Sequence, residues 1–225
     1  MAIILNIDTA VEIATISISN YEKVIASVTN HNQKDHASFL QPAIKNLLQK
    51  VRISINELNA VAVTSGPGSY TGLRVGMASA KGLCYALKIP MITINTLQVM
   101  ALSSINREQD KWAFYCPMID AKRMEVFTAV YDFQLLEIIK PCSMVLDSEV
   151  FKDLLKTNKI YFSGSGAVKL KNILDTKSAE FVGNESTAFS MAVLSYKKYE
   201  AQNFANIASV APAYLKEFYA LLPRT

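Results

Sequence analysis

Ile7-Asp8-Thr9-Ala10 is the end of an apolar strand that closes on a carboxylate and turns, and a second strand with alternating faces, Ile13 to Ser19, comes next. Half a chain further on the pattern returns: Ile119-Asp120-Ala121-Lys122, then Glu125 to Tyr131. A second echo keeps the same order. Ala60 to Thr64 is a short apolar strand running into Ser65-Gly66-Pro67-Gly68, and Lys159 to Phe162 is another, running into Ser163-Gly164-Ser165-Gly166. Each glycine-rich turn opens a helix-like stretch. Two matches in one order point to a duplicated α/β unit.

The remaining elements fit that unit. Period-two alternation predicts strands at about 3–7, 12–19 and 23–29. Leu40, Ile44, Leu47, Leu48 and Val51 predict a helix over 36–51, with Asp35 as its N-cap. Strand 60–64, helix 71–87, strand 91–94 and helix 96–105 follow, and Pro90 lies beyond a helix that it cannot continue. The second half reads as strands at 112–119, 124–131 and 136–140, a helix at 148–156, strand 159–162, and helices at 166–174 and 186–201. Three strands, a helix, a strand and a helix, occurring twice, is the arrangement of the actin, sugar-kinase and Hsp70 fold, built from two ribonuclease H-like lobes. The expected lobes are 1–107 and 108–225, joined tightly near 106–111.

Composition narrows the function without assigning it. Hydrophobic residues are 51% and charged residues 19%, an ordinary globular balance. No apolar run approaches the roughly 18 residues that cross a bilayer. Asn6 and Asp8 interrupt the apolar amino terminus, so it reads as a buried strand rather than a signal sequence, and the expected location is the cytoplasm. The net charge of +4 is spread out, its densest groups being the pairs Lys122-Arg123 and Lys197-Lys198. A dedicated nucleic-acid binder shows a basic stripe instead. Cys84, Cys116 and Cys142 lack CxxC spacing and read as reduced structural thiols. His31 and His36 are not an i, i+4 pair, so no metal site is expected.

Ser65-Gly66-Pro67-Gly68-Ser69-Tyr70-Thr71-Gly72-Leu73-Arg74-Val75-Gly76 is the most distinctive stretch. Ser69 or Thr71 can cap the following helix. The turn lacks the Gly-Lys-Ser/Thr of a P-loop, and Pro67 breaks a dinucleotide fingerprint. Gly72, Gly76 and Ala80 form a small-residue stripe, although a mid-helix glycine costs about 1 kcal/mol relative to alanine. Close approach of another backbone explains such bareness. The stripe meets either the chain's own sheet or a helix of another subunit. On the second reading, Gly76→Leu spares the fold and breaks complex formation.

This segment resembles, nearly residue for residue, the hallmark of the TsaB (YeaZ) family. Ile7 to Ala10 looks like the family's opening. His36 with Leu40, Pro42, Ile44 and Leu48 looks like its first helix, and Ile119 to Val126 like the start of its second half. Pro212-Ala213-Tyr214-Leu215-Lys216 is similar to its closing Pro-x-Tyr-Leu-Arg, with lysine for arginine. The resemblance implies a non-catalytic subunit of the bacterial assembly that forms N6-threonylcarbamoyladenosine at position 37 of tRNAs reading codons that begin with A. It implies a catalytic paralogue, TsaD, as partner, a TsaE-type ATPase in the ternary complex, a homodimer in isolation, tRNA met only through the complex, and no membrane.

The resemblance sets the site expectations. Helices 36–51 and 71–87 are expected to form one face for the catalytic partner and for self-association, through His36, Leu40, Ile44, Leu47, Tyr70, Thr71, Gly72, Leu73, Arg74, Gly76 and Ala80. A vestigial nucleotide cleft is expected at Asp8, Thr9, Gly66, Gly68, Ser69, Asp120, Gly164 and Gly166. No catalytic residue, metal or obligatory cofactor is expected, weakly or interface-bound ADP or ATP being the one cofactor alternative. Leu40 stands where TsaD's His-x-x-x-His motif has its second imidazole. Glu12 stands in the first phosphate loop, where two unit charges about 4 Å apart repel by about 4 kcal/mol at an effective dielectric of about 20. Asp8 and Asp120 read as turn organisers that accept from backbone amides. The alternatives are a stand-alone ATPase or M22-type peptidase of the same fold, and direct capture of tRNA.

Overall fold

The computed structural model describes residues 1–32, 35–174, 177–183 and 187–215. Strands β1 (Ile3–Asp8), β2 (Ala14–Asn20) and β3 (Lys23–Asn30) lead into helix α1 (His36–Val51). Strand β4 (Ala60–Gly66), helix α2 (Tyr70–Leu87), strand β5 (Met91–Asn95) and helix α3 (Thr96–Glu108) complete the first half. The second half has β6 (Phe114–Asp120), β7 (Glu125–Tyr131), β8 (Glu137–Val145), α4 (Lys152–Thr157), β9 (Ile160–Ser163), α5 (Ala167–Lys171), β10 (Ala179–Phe181) and α6 (Ala188–Glu200).

The two sheets repeat one order, β3-β2-β1-β4-β5 and β8-β7-β6-β9-β10. In each, the opening strands are antiparallel, and the first strand then pairs in parallel with the strand that follows the first helix, Ile7 beside Val63 and Pro117 beside Ser163. This is the doubled actin-like fold. Pleating decides what each face buries. Ile3, Leu5, Ile7, Val61 and Val63 meet Leu40, Ile44, Leu47, Met77 and Ala80 of α1 and α2. Ile4, Ala62, Ile92 and Ile94 face the other way, onto Val99 of α3 and Met191 and Leu194 of α6. In the second sheet Cys116, Met118, Val126 and Phe162 pack on Leu155 and Leu170 of α4 and α5. Its opposite face carries Tyr115, Ala129, Tyr131 and Tyr161 onto Leu97, Met100, Ala101 and Ile105 of α3.

The layers therefore run α1 and α2, first sheet, α3 with α6, second sheet, α4 and α5. A cut between 107 and 108 separates the sheets but not the lobes. Helix α3, in the first half by sequence, covers the second sheet, while α6 covers the first. The chain then returns to the first lobe, where Ala205 pairs with Met91.

Several boundaries differ from expectation for local reasons. The helix expected from 148 begins at Lys152, because the Asp147 carboxylate takes the amides of Glu149 (2.9 Å) and Val150 (3.0 Å), and Phe151 is left-handed at φ 64°. Strand β8 continues past Pro141 to Val145. It is an edge strand, where proline is tolerated, and its register against β7 shifts there. Asp35 precedes α1 but does not cap it: its carboxylate takes the Asn32 side-chain amide instead. The expected α5 stops at Lys171, and β10 lay unread at three residues. Positions 175, 176 and 186, the first two beyond the expected helix end and the last the expected start of α6, lie outside the described residues, as does Lys216.

Candidate functional site

Asp8 ends β1 at the mouth between the lobes, yet it is only 1% exposed. Its Oδ1 accepts the Ala10 amide (3.2 Å) and the Thr64 hydroxyl (3.0 Å), while Oδ2 accepts the Thr187 hydroxyl (2.7 Å). Thr64 arrives on β4, the parallel neighbour of β1, and Thr187 stands at the start of α6. Burial raises the Asp8 pKa, and the three hydrogen bonds oppose that rise. His36, 3% exposed, lies close enough to feel the Asp8 charge. Desolvation lowers its pKa against the pull of the backbone at Glu12 and Thr9, but neither ring nitrogen makes a well-formed hydrogen bond among the described residues.

The glycine stripe of α2 settles onto this turn. A Cβ at Gly72 would run into the Thr9 carbonyl, one at Gly76 into the Thr9 hydroxyl, and one at Gly68 into the Ala10 carbonyl. The Thr9 hydroxyl donates to the Gly72 carbonyl (2.7 Å), and the Ser69 amide to the Ala10 carbonyl (2.7 Å). Ser69 also caps α2 by accepting the Gly72 amide (3.3 Å). The stripe thus serves the chain's own lobe, which corrects the intersubunit reading. It corrects seven of the expected partner contacts as well: His36, Leu40, Leu47, Gly72, Leu73, Gly76 and Ala80 are buried inside the lobe, while Ile44, also buried, floors a surface groove between α1 and Leu83 of α2. Leu73, Met77 and Cys84 on the same face of α2 were the available signal, because a stripe flanked by large apolar residues points into a core. Tyr70, Thr71 and Arg74 are exposed, and so, unanticipated, are Ala78, Gly82 and Tyr85.

Asp120 is the counterpart of Asp8 on the second lobe, but it is exposed. Its Oδ1 accepts the Lys122 amide (2.6 Å) and the Lys169 ammonium (2.7 Å). Partial burial alone would raise its pKa, and Lys169 and the Lys122 amide outweigh that and hold it below the ordinary carboxylate range. Gly164 and Gly166 pack on β6: the Gly166 amide donates to the Met118 carbonyl (3.0 Å), and a Cβ there would lie 2.6 Å from Val126. Gly66 has φ 113°, a conformation side chains avoid, and a Cβ on it would lie 2.6 Å from the Ala213 carbonyl. The Ala213 amide donates to the Ser65 carbonyl (2.7 Å), so the closing segment is bound to the hallmark loop.

Between the lobes is a cleft of about 880 Å³, lined by Glu12, Gly68, Ser69, Tyr70, Asp120, Lys122, Arg123, Phe127 and Tyr214 among others. The Gly166 and Ser69 amides are already bonded to carbonyls and Glu12 stands in the loop, so these groups do not cradle a phosphate chain, whereas Lys122 and Arg123 put two cations in the cleft lining. Helix α1 supplies no His-x-x-x-His pair, because the residue one turn after His36 is Leu40, fully buried in the apolar core. Among the described residues no cluster of three His, Cys, Asp or Glu is placed to hold a metal. Burial pushes the Cys84 thiol up to about 11 and the Cys116 thiol to about 12, so both are poor nucleophiles.

Fold and site together define a two-lobed, actin-like protein whose two strand-end carboxylates, Asp8 and Asp120, are bonded within the chain. Residues 23–221 match the family model described as TsaD, tRNA N6-adenosine threonylcarbamoyltransferase. The tRNA threonylcarbamoyladenosine biosynthesis protein TsaB of Bacillus subtilis is 30% identical over 187 residues, covering 80% of this chain and 79% of that protein. The TsaB of Escherichia coli is 32% identical over 131 residues, 57% of this chain and 54% of that protein. In three dimensions, YeaZ from Pseudomonas aeruginosa superposes with a TM-score of 0.81 at 22% identity, over 96% of this chain and all of that one. The chain belongs to the TsaB family of tRNA threonylcarbamoyladenosine biosynthesis proteins. Among the described residues no helix is long and apolar enough to cross a membrane.

Proposed function

We propose that the chain is the non-catalytic, activating subunit of a cytoplasmic assembly that forms N6-threonylcarbamoyladenosine at position 37 of tRNA, and that it acts by binding a TsaD-type catalytic subunit. The observation that carries this reading is the sealing of Asp8 by Thr64, Thr187 and the Ala10 amide, which leaves the cleft's first carboxylate no contact with a substrate. The match to the TsaD family model over most of the chain supports a paralogous partner. The docking face we assign is the outer side of α2, with Thr71, Arg74, Ala78, Gly82 and Tyr85, together with the adjoining groove of about 460 Å³ lined by Gln41, Ile44, Lys45, Leu48 and Leu83. An exposed mid-helix glycine, Gly82, where an added Cβ would meet nothing within 4 Å, supports close approach from outside. The same face serves a homodimer in isolation, so the two states compete, and a TsaE-type ATPase joins the complex elsewhere.

Reconstitution tests this directly. With purified TsaD-type subunit, TsaE-type ATPase, threonylcarbamoyl donor and tRNA, modification is expected to require the chain and to persist with a folded Asp8→Asn variant. ATP or peptide hydrolysis by the chain alone, abolished in Asp8→Asn, would establish the independent enzyme instead.

A further inference from the structure

Arg74 lies one turn into α2 on its exposed side, where an arginine ordinarily samples many rotamers. Here it is held on two sides. The guanidinium carbon sits 4.1 Å from the centroid of the Tyr70 ring, a cation–π distance, and Nε donates to the Tyr214 hydroxyl at 3.2 Å. The two tyrosine rings lie 5.6 Å apart, tilted by 35°. Tyr214 comes from the far end of the chain and is fixed in turn by the Ala213 amide on the Ser65 carbonyl, which the bare Gly66 lets approach. Among the described residues no carboxylate pairs with Arg74.

We propose that this clamped arginine is a preformed fork for a carboxylate on the protein partner, and that the closing segment around Tyr214 is part of the docking surface. The inference rests on the partner-binding reading above. A guanidinium presents its donors in a rigid planar set matched to a carboxylate, and fixing it beforehand removes an ordering cost from association. Tyrosine and arginine are also the residue types that dominate binding hot spots. A protein carboxylate suits the site better than a nucleic-acid phosphate because the exposed stripe beyond Arg74 continues as Ala78, Gly82 and Tyr85. That path of two small residues and an exposed ring admits a helix, while Lys81 and Lys88 continue the basic side of α2, so the oligoribonucleotide arm of the test below decides between carboxylate and phosphate.

The test uses the full chain and a purified TsaD-type subunit, with dissociation constants from calorimetry and melting temperatures measured alongside. Arg74→Lys keeps the charge but loses the fork, and is expected to weaken binding about tenfold. Tyr214→Phe keeps the ring and the backbone latch but loses the acceptor, and is expected to weaken binding about threefold. The double variant should bind like Arg74→Lys alone, because the tyrosine acts through the arginine. If both single variants melt and bind like the wild type, the fork is refuted. Binding of a single-stranded oligoribonucleotide that is lost in Arg74→Lys would overturn the carboxylate in favour of phosphate. If the wild-type chain does not bind the subunit at all, the partner reading falls and takes this inference with it.

Discussion

Alanine placed at two glycines of one helix should move stability in opposite directions. In Gly76→Ala the helix itself gains about 1 kcal/mol. Against that, the new methyl group overlaps the Thr9 hydroxyl, and Thr9 cannot swing away without giving up its 2.7 Å bond to the Gly72 carbonyl. Overpacking a filled core costs about 1–3 kcal/mol, and a lost buried hydrogen bond about 1 kcal/mol more. The net expectation is a loss of about 1–3 kcal/mol. Gly82→Ala gains the same helix term and meets no atom within 4 Å, so it should stabilise by up to about 1 kcal/mol. For a chain of this size 1 kcal/mol moves the melting point by about 2–4 °C, so the two variants should be separated by roughly 5–15 °C. Urea melts followed by far-ultraviolet circular dichroism, with thermal scans beside them, measure both. A Gly76→Ala protein as stable as the wild type would refute the inward packing of α2. The bulkier Gly76→Leu is expected to disrupt the lobe, not merely its associations.

Two further outcomes follow from the site. Because the folded-state pKa of Asp8 is raised, the folded protein holds a proton there that the unfolded chain releases near pH 3.8; this group makes stability fall as pH rises from that value towards the folded pKa. His36, lowered by burial, acts oppositely below pH 6.5, so the informative quantity is the difference between wild type and Asp8→Asn in urea melts from pH 4 to 7, which should change in favour of Asn as pH rises. Gly66→Ala should destabilise by about 1–3 kcal/mol, through a strained φ and the crowded Ala213 carbonyl, and should expose the closing segment to faster carboxyl-terminal proteolysis.

The doubled fold was legible because the Ile-Asp turn and the glycine-rich turn each occur twice, and because α1 carries a clear 3.6-residue period. What could not be read is which neighbour covers a given face. Amphipathic α3 and α6 announce that they are half-buried, but nothing local says that each packs on the sheet of the opposite half. The same gap misplaced the α2 stripe. Glycine spacing marks a close approach, whereas the approaching backbone is that of Thr9 and Ala10, some sixty residues earlier in the chain. The turn-organising role of Asp8 and Asp120 was readable from their place at strand ends. Their different fates were not: Thr187 and Lys169, which respectively seal one and neutralise the other, are supplied by distant elements.

The exchanged helices have a mechanical meaning. In a two-lobed machine that opens and shuts around a nucleotide, the lobes must swing as separate jaws. Here α3 and α6 lie side by side in the middle layer, touching through the Ser103 and Ser190 hydroxyls at 2.9 Å, each anchored mainly to the jaw contributed by the other half of the chain. Any swing must slide one against the other and part the Ser103 and Ser190 hydroxyls, while Thr187 stays with Asp8 on the first jaw. The joint between the jaws is thus a helix-on-helix seam, and a change in their angle works against the packing of α3 on α6.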